Sequence, residues 1–333
     1  MTLIRWTRFP ALSLALAVAL AGLLGLRSPG AAFAQSYPSH SVTIIVPFPA
    51  GGPLDFAARL LAEKLSASLK QPFIVENRAG VAGNMGTEAV AKATPDGHTL
   101  LMVLDTPLTA HPALYPKLPF DPERDFAPIS IVASFSQMLV VHPSVPVNSL
   151  MDFVRFAKEN SVTLGSGGAK GNPGYLTLES LRVQAGFDVV HVAYKGNPQV
   201  VADLVGGHVQ AGFLATPSVI GLAREGKLKA LAVSSPRRAP GAPNVPTVSE
   251  AGYPGFDVAF SLVMLVPAKT PASVRAVLEY EVLQALKSPD VQARLRAQEI
   301  EPIGTGGTEA ENWLKTTAAK WKLVIQTAKI QLD

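Results

Sequence analysis

No cysteine occurs in the 333 residues, so disulfides and thiolate metal sites are excluded and the fold must be held by its cores alone. No G-x-x-x-x-G-K-[ST] phosphate loop, G-x-S-x-G nucleophile elbow or H-E-x-x-H zinc helix is present, which removes the usual sequence grounds for nucleotide, serine-hydrolase or zinc-peptidase chemistry. His40, His98, His111, His142, His191 and His208 are scattered without metal-ligand spacing. Gly80, Gly83 and Gly86 recur every third residue, which is not the dinucleotide fingerprint. After Leu26 no apolar run approaches a membrane span, so the remainder reads as a soluble chain. These absences call for no cofactor and no metal.

The long apolar run that does exist is at the start. Arg5 and Arg8 precede an almost wholly apolar Phe9 to Leu26, and Ala32-Phe33-Ala34 gives a small-x-small cleavage pattern before Gln35. Residues 1–34 therefore read as a secretory signal peptide directing the chain to the periplasm, with an uncleaved membrane anchor as the alternative. That segment carries three arginines, Arg5, Arg8 and Arg27, and no acid, so its removal lowers the formal charge from +4 to +1. The basic balance of the whole chain is thus no argument for a nucleic-acid partner. About 300 residues remain, enough for two domains.

The chain beyond the leader is organised around VTIIVPFPAGGPLDFAAR, from Val42 to Arg59. Val42, Ile44, Ile45 and Val46 form a β-branched run suited to a strand covered on both faces. Pro47, Pro49, Gly51, Gly52 and Pro53 interrupt it, and Pro53 suits the first turn of a helix whose apolar face includes Phe56, Ala57, Leu60, Leu61, Leu65 and Leu69. Bare amides at such a terminus can accept an anion, although an ordinary tight connection looks the same. A strand at Phe73–Val75, a second glycine-rich loop to Gly86, a helix Thr87–Ala93, a turn Thr94–Gly97 and a strand Leu100–Leu104 follow. This alternation implies parallel strands with crossover helices.

Pro107 to Pro128 reads as a long surface excursion, followed by two strands, Ile129–Val132 and Met138–His142. A second alternating domain comprises the helix Leu150–Glu159, the strand Thr163-Leu164, a third glycine-rich loop Gly165–Gly174 and the helix Tyr175–Ala185. It continues with the strand Val189–Val192, the helix Pro198–Val205, and strands Gln210–Leu214 and Ala230–Val233. The strand Phe260–Val266 and amphipathic helices Pro271–Leu286 and Thr308–Ala328 close the chain, with Trp313 and Trp321 on one face as core packing. This terminal segment is expected to return to the first domain, so that two segments cross between the domains. Gly165-Ser166-Gly167 has no identifiable histidine or acid partner and reads as a backbone device. The loops at 47–55, 78–86 and 165–174 each join a strand to a helix, and together they imply a cleft floored by backbone amides, suited to small carboxylates.

Spaced segments in order resemble the Bug family of periplasmic solute-binding proteins, the TctC-like receptors associated with tripartite tricarboxylate transporters. They are VPFPAGGPLD with Ala58-Arg59, VENRAGVAGNMG from Val75, Pro95-Asp96-Gly97, Leu118-Pro119-Phe120-Asp121, HVAYKG from His191, Ala230-Leu231-Ala232-Val233 and Val245-Pro246-Thr247. The resemblance implies an α/β type II periplasmic-binding-protein fold, two α/β lobes joined by two crossing strands at a hinge. Residues 35–137 plus 257–333 would form lobe 1 and residues 138–256 lobe 2. It implies a non-catalytic, monomeric receptor that captures a small organic acid and presents it to the permease subunits of a membrane transporter or to a sensor protein. A secreted hydrolase or lyase on the same scaffold is the alternative from another class.

Carried onto this sequence, the resemblance places ligand contacts at Phe48, Pro49, Ala50, Gly51, Gly52, Leu54 and Asp55, with the amides of Ala50, Gly51 and Gly52 as donors. Ser166, Gly167, Gly168, Asn172, Ala193, Tyr194 and Lys195 would face them, and Thr106 and Thr216 complete the candidate set. For Asp55 two readings stand, a partner for a ligand ammonium or bridging water, and a complement to its own helix dipole. Leu54 replaces the small polar residue usual in the family, and Leu214 and Ala215 replace acidic or amide residues. These departures lead us to expect a monocarboxylate with an apolar or aromatic body rather than citrate.

Overall fold

The computed structural model describes residue 2 and residues 37–331 apart from 169 and 328. The expected leader, Thr2 excepted, and the helix end at Ala328 lie outside the described residues. No described helix is long and apolar enough to cross a membrane. Residues 40–333 form one compact unit.

The chain runs through β1 (Val42–Val46), α1 (Pro53–Leu69), β2 (Phe73–Asn77), α2 (Asn84–Ala91), β3 (Thr99–Leu104), α3 (Thr106–Thr109), α4 (His111–Leu114) and β4 (Phe126–Val141). It continues with α5 (Leu150–Glu159), β5 (Thr163–Ser166), α6 (Pro173–Ala185), β6 (Val190–Ala193), α7 (Asn197–Val205), β7 (Ala211–Ala215), α8 (Thr216–Arg224) and β8 (Lys229–Val233). The last elements are β9 (Ala259–Pro267), α9 (Ala272–Lys287), α10 (Pro289–Ala297), β10 (Glu301–Pro302) and α11 (Gly307–Thr327). The strands order as β2-β1-β3-β9-β4-β7-β5-β6, with β8 and β10 also paired to β4. They make two α/β lobes of the periplasmic-binding-protein kind.

The strand β4 belongs to both lobes. Phe126 to Ser136 pair with β9 in the first sheet, and Gln137 to Val141 pair with β7 in the second, Ser136 opposite Ala259 and Gln137 opposite Ala215. The sequence reads two strands here because Ala133-Ser134-Phe135-Ser136-Gln137 interrupts the apolar run. Those small and polar residues are instead the stretch where one strand changes sheets, with irregular register at Pro128/Ser130 and Ile131/Ala133. A second crossing lies alongside. The Ser234 amide donates to the Gln137 carbonyl (2.8 Å) and the Val258 amide to the Ser234 carbonyl (2.9 Å). The Ser234 hydroxyl accepts from the Gln137 amide (2.9 Å) and donates to the Val258 carbonyl (2.5 Å).

Four further expectations are corrected. The sheet is mixed, because β9 inserts antiparallel between β3 and β4. The start of the supposed surface excursion is buried, with Thr106 to Ala110 and His111 enclosed in α3, α4 and their junction. Pro107 and Pro112 fall in the first turns of these short helices, where a missing N–H is harmless. Helix α2 begins at Asn84, three residues before the position expected from its apolar pattern. Helix α10 is missed by periodicity because it is short and polar, although Ser288-Pro289-Asp290 is a fair start signal.

The terminal helix α11 bridges the cores. Trp313 packs with the first-lobe cluster of Ile45, Leu101 and Val263. Trp321 stacks on Phe260 with centroids 5.8 Å apart, in a cluster that includes Phe153 and Phe213. Beneath the same helix, Asp105 is fully buried at the end of β3, and neither carboxyl oxygen has a hydrogen-bond partner among the described residues. Burial pushes its pKa up to about 8 against the opposing pull of backbone amides and Lys320. An acid raised in this way leaves stability intact below its unfolded pKa near 4 and removes it as pH climbs through about 8. Asp105→Asn is therefore expected to match the wild-type melting temperature near pH 4 and to exceed it increasingly up to pH 9. A pH-independent difference in thermal melts would refute this.

Candidate functional site

The two glycine-rich loops that face each other across the hinge enclose a cavity of about 50 Å³, room for a few waters. Phe48, Pro49, Gly52, Pro53 and Leu54 line it from the first lobe. Gly167, Asn172, Pro173, Gly174, Gly196, Asn197, Pro198 and Ala215 line it from the second, and Leu104, Phe135 and Gln137 form its floor. Among the described residues, none that lines it carries a charge.

Four helices start at this cavity. Their N-cap residues are Gly52 of α1, Asn172 of α6, Gly196 of α7 and Ala215 of α8, and all four are in its wall. This follows from the topology, since each parallel strand ends where its crossover helix begins. Each helix has proline in its first two positions, which removes a donor and leaves few amides to satisfy. The amides of Gly52, Leu54 and Asn197 make no hydrogen bond among the described residues. The cavity is thus a region of positive potential built from backbone alone.

Asp55 organises the opening loop from its outer side. Its carboxylate accepts from the Gly51 amide (3.1 Å), Arg59 Nε (3.0 Å) and Asn77 Nδ2 (3.0 Å), and Asn77 also donates to the Phe48 carbonyl (3.0 Å). Burial alone would raise its pKa, but the bonds from Arg59, Gly51 and Asn77 outweigh it and hold the group below the ordinary carboxylate range. Asp55 faces a separate groove with Arg59 and Glu63, where Gly51 also lies. The Gly51 amide is directed at Asp55 in this structure, and Ala50 is exposed at the loop tip.

On the second lobe, Asn172 caps α6 by accepting from the Tyr175 amide (3.2 Å), and its Nδ2 donates to Ser166 Oγ (2.9 Å) and the Gly168 carbonyl (3.0 Å). Ser166 Oγ lies 2.7 Å from His191 Nε2. This histidine is the partner that cannot be identified in the sequence. Strands β5 and β6 are parallel neighbours with Leu164 opposite His191, which sets the two side chains diagonally across the ladder. Burial, aided by the charge of Lys170, pushes the His191 pKa down to about 4, which keeps the ring neutral. Ser166 is fully buried, and hydrogen-bonded to both Asn172 and His191 it is a structural strut of the loop.

The rest of the candidate set is dispersed. Gly168, Ala193, Tyr194 and Lys195 line an outer cavity of about 800 Å³ with Pro47, Phe48 and Val81. Tyr194 donates to Asp203 Oδ2 (2.7 Å), and burial and that carboxylate together push its pKa to about 12. Lys195 is exposed at this mouth. The Thr216 hydroxyl pairs with that of Ser136 (2.8 Å), and Thr106 is buried without a partner for its hydroxyl among the described residues. Leu214 packs in a second-lobe core cluster rather than on the cavity.

Several residues escape sequence reasoning. His111 places Nδ1 2.7 Å from Asn84 Oδ1 and Nε2 3.1 Å from the Gly171 carbonyl, and Tyr115 donates to the Lys170 carbonyl (3.1 Å), so α4 straps the second-lobe loop. Burial holds the His111 pKa near 4 although the Gly171 carbonyl favours its protonated form. Phe135, Gln137 and Asn197 also line the cavity unannounced, the first two in the stretch that reads as a gap between strands. Gln137 is only 2% exposed, and its side-chain amide makes no hydrogen bond among the described residues.

Gly52 has φ −89° and open space where a Cβ would project, so the fold does not require glycine there. Gly196 differs, because its Cβ would lie 3.0 Å from Pro49 of the opposing loop. Gly52→Phe is expected to keep the unliganded melting temperature within about 2 °C of wild type while abolishing ligand response in the same melts. Unchanged ligand affinity would remove this loop from the site.

Residues 57–330 match the family described as the tripartite tricarboxylate transporter family receptor. The chain is 33% identical to protein BugT of Bordetella pertussis over 301 residues, covering 90% of this chain and 92% of that one. Among solved structures, the R. palustris protein Rpa4515 with adipate superposes with a TM-score of 0.85 at 31% identity, covering 89% of this chain and 99% of that one. MatC from Rhodopseudomonas palustris with bound malate gives 0.82 at 30% identity, covering 87% and 100%.

Proposed function

The chain belongs to the family of tripartite tricarboxylate transporter receptors, and from that premise we propose that it is a periplasmic receptor for a small carboxylate with an apolar or aromatic body. It captures this acid between the lobes and presents it to the permease subunits of a membrane transporter. The convergence of four helix N-caps on one cavity without a charged side chain carries this reading.

Each helix terminus stabilises a nearby anion by about 0.3–1 kcal/mol when exposed and up to about 2 kcal/mol when partly buried. Micromolar binding corresponds to about 8 kcal/mol. The termini therefore supply the preference for an anion and part of the affinity, while amide hydrogen bonds and apolar contacts with Phe48, Leu54, Leu104 and Phe135 supply the rest. One carboxylate is compensated in this way. A second, pushed into the inner cavity, would meet Leu54 and Ala215 and no cation. The cavity must widen to admit any such acid, so the lobes part and close around it.

Catalysis has little to support it. Ser166 is enclosed, and no carboxylate hydrogen-bonds to His191 among the described residues. The adipate and malate carried by the structural relatives favour a carboxylate receptor, and the apolar wall favours a monoacid here.

A ligand at one hundred times its Kd stabilises the folded state by about 2.7 kcal/mol, equivalent to a rise of roughly 4 °C for a chain of this size. Thermal-shift titration of the mature chain with aliphatic and aromatic monocarboxylates, malate, adipate and citrate is expected to show such saturable rises for monoacids. Mass spectrometry of the small molecule that co-purifies should identify an acid of the same class. Tight citrate binding with no response to any monoacid would contradict the reading.

A further inference from the structure

Gln137 sits where β4 passes from one sheet to the other, and its backbone is held on both sides by Ser234. Neither hydrogen bond uses its side chain. That side chain lies in the floor of the inner cavity, nine-tenths or more buried, with its amide unpartnered among the described residues. Around it are Phe135, Leu104, Leu54 and Ala215, which offer no hydrogen bonds from their side chains. Of the two other uncharged polar residues in the lining, Asn172 is committed to Ser166, Gly168 and the cap of α6, and Asn197 makes only a long 3.5 Å contact to Ser218 among the described residues.

A primary amide both donates and accepts, and it carries no charge. It is suited to a neutral group that can do the same, whereas a carboxylate would be recognised through the donor alone and would remain uncompensated in this apolar surrounding. Building on the carboxylate reading above, we infer that Gln137 is a specificity-determining residue that reads a neutral hydroxyl or carbonyl group on the body of the ligand. The preferred ligand class is then hydroxy- or oxo-monocarboxylic acids. Their carboxylate end lies at the helix N-termini and the neutral polar group at the hinge strand. A site that hydrogen-bonds such a group discriminates strongly against the analogue lacking it, because the protein's own polar atom is then left buried and unpaired.

The test is calorimetric titration of the mature chain with benzoate, the three hydroxybenzoates, hexanoate, its hydroxy and oxo derivatives at each carbon, and adipate. Wild type should bind at least one hydroxy or oxo acid ten times more tightly than its unsubstituted parent. Gln137→Met and Gln137→Leu should reduce that advantage below threefold, with the parent acid binding at least as tightly as it does to wild type because no amide is left without a partner. The inference is overturned if hydroxylated and parent acids bind wild type within threefold of one another, if the advantage survives in the variants, or if adipate binds more tightly than every monoacid. Should neither variant fold, the wild-type comparison decides by the same criterion. Absence of binding by every acid would instead overturn the carboxylate reading, and this inference with it.

Discussion

A single strand passing through two sheets is the constraint on which the rest of the molecule depends. Because β4 pairs with β9 up to Ser136 and with β7 from Gln137, the lobes share a continuous backbone rather than a flexible linker. Ser234 and Val258 lash the second crossing to it by backbone and hydroxyl hydrogen bonds. Such a pair of strands can bend, but it cannot translate one lobe freely past the other. The two sets of loops are therefore held face to face over the same point.

What those loops present is determined by the parallel βα units. A strand that runs into a crossover helix brings the helix N-terminus to the carboxyl edge of its sheet, and two such edges oppose each other here. The prolines in the first turns of α1, α6, α7 and α8 remove amides that would otherwise need partners. Glycine at Gly196 lets the second-lobe loop approach Pro49 of the first. Ionised side chains work around the site, with Asp55 and its partners Arg59 and Asn77 shaping the opening loop from outside. On the proposed reading the anion preference is a property of backbone geometry, and the side chains in the cavity are left to choose the body of the ligand.

Much of the scaffold was legible in the sequence, since strands such as Val42–Val46 and helices such as Leu150–Glu159 carry strong periodicity and clear flanking signals. The loops at the site were legible as glycine-rich connections, and six of the candidate residues, Phe48, Pro49, Gly52, Leu54, Gly167 and Asn172, line the inner cavity. Two crossings were expected, but the continuity of β4 through one of them was not legible, because Ser134, Ser136 and Gln137 break the apolar pattern that identifies a strand, and only pairing with β9 and β7 makes them one. His191 and His111 were also hidden. Their roles arise from strands and helices that meet in space, and nothing in their spacing along the chain reports it.

The recognition we propose is of a small acid's negative charge by backbone dipoles and amides, with no cation among the described residues that line the cavity. Its most direct test compares acids with their primary amides, which match them in shape but carry no charge. Calorimetric titration of the mature chain should show hexanoate or benzoate, or a hydroxylated derivative of either, binding at least one hundred times more tightly than the corresponding amide. Comparable affinity for an acid and its amide would contradict the account.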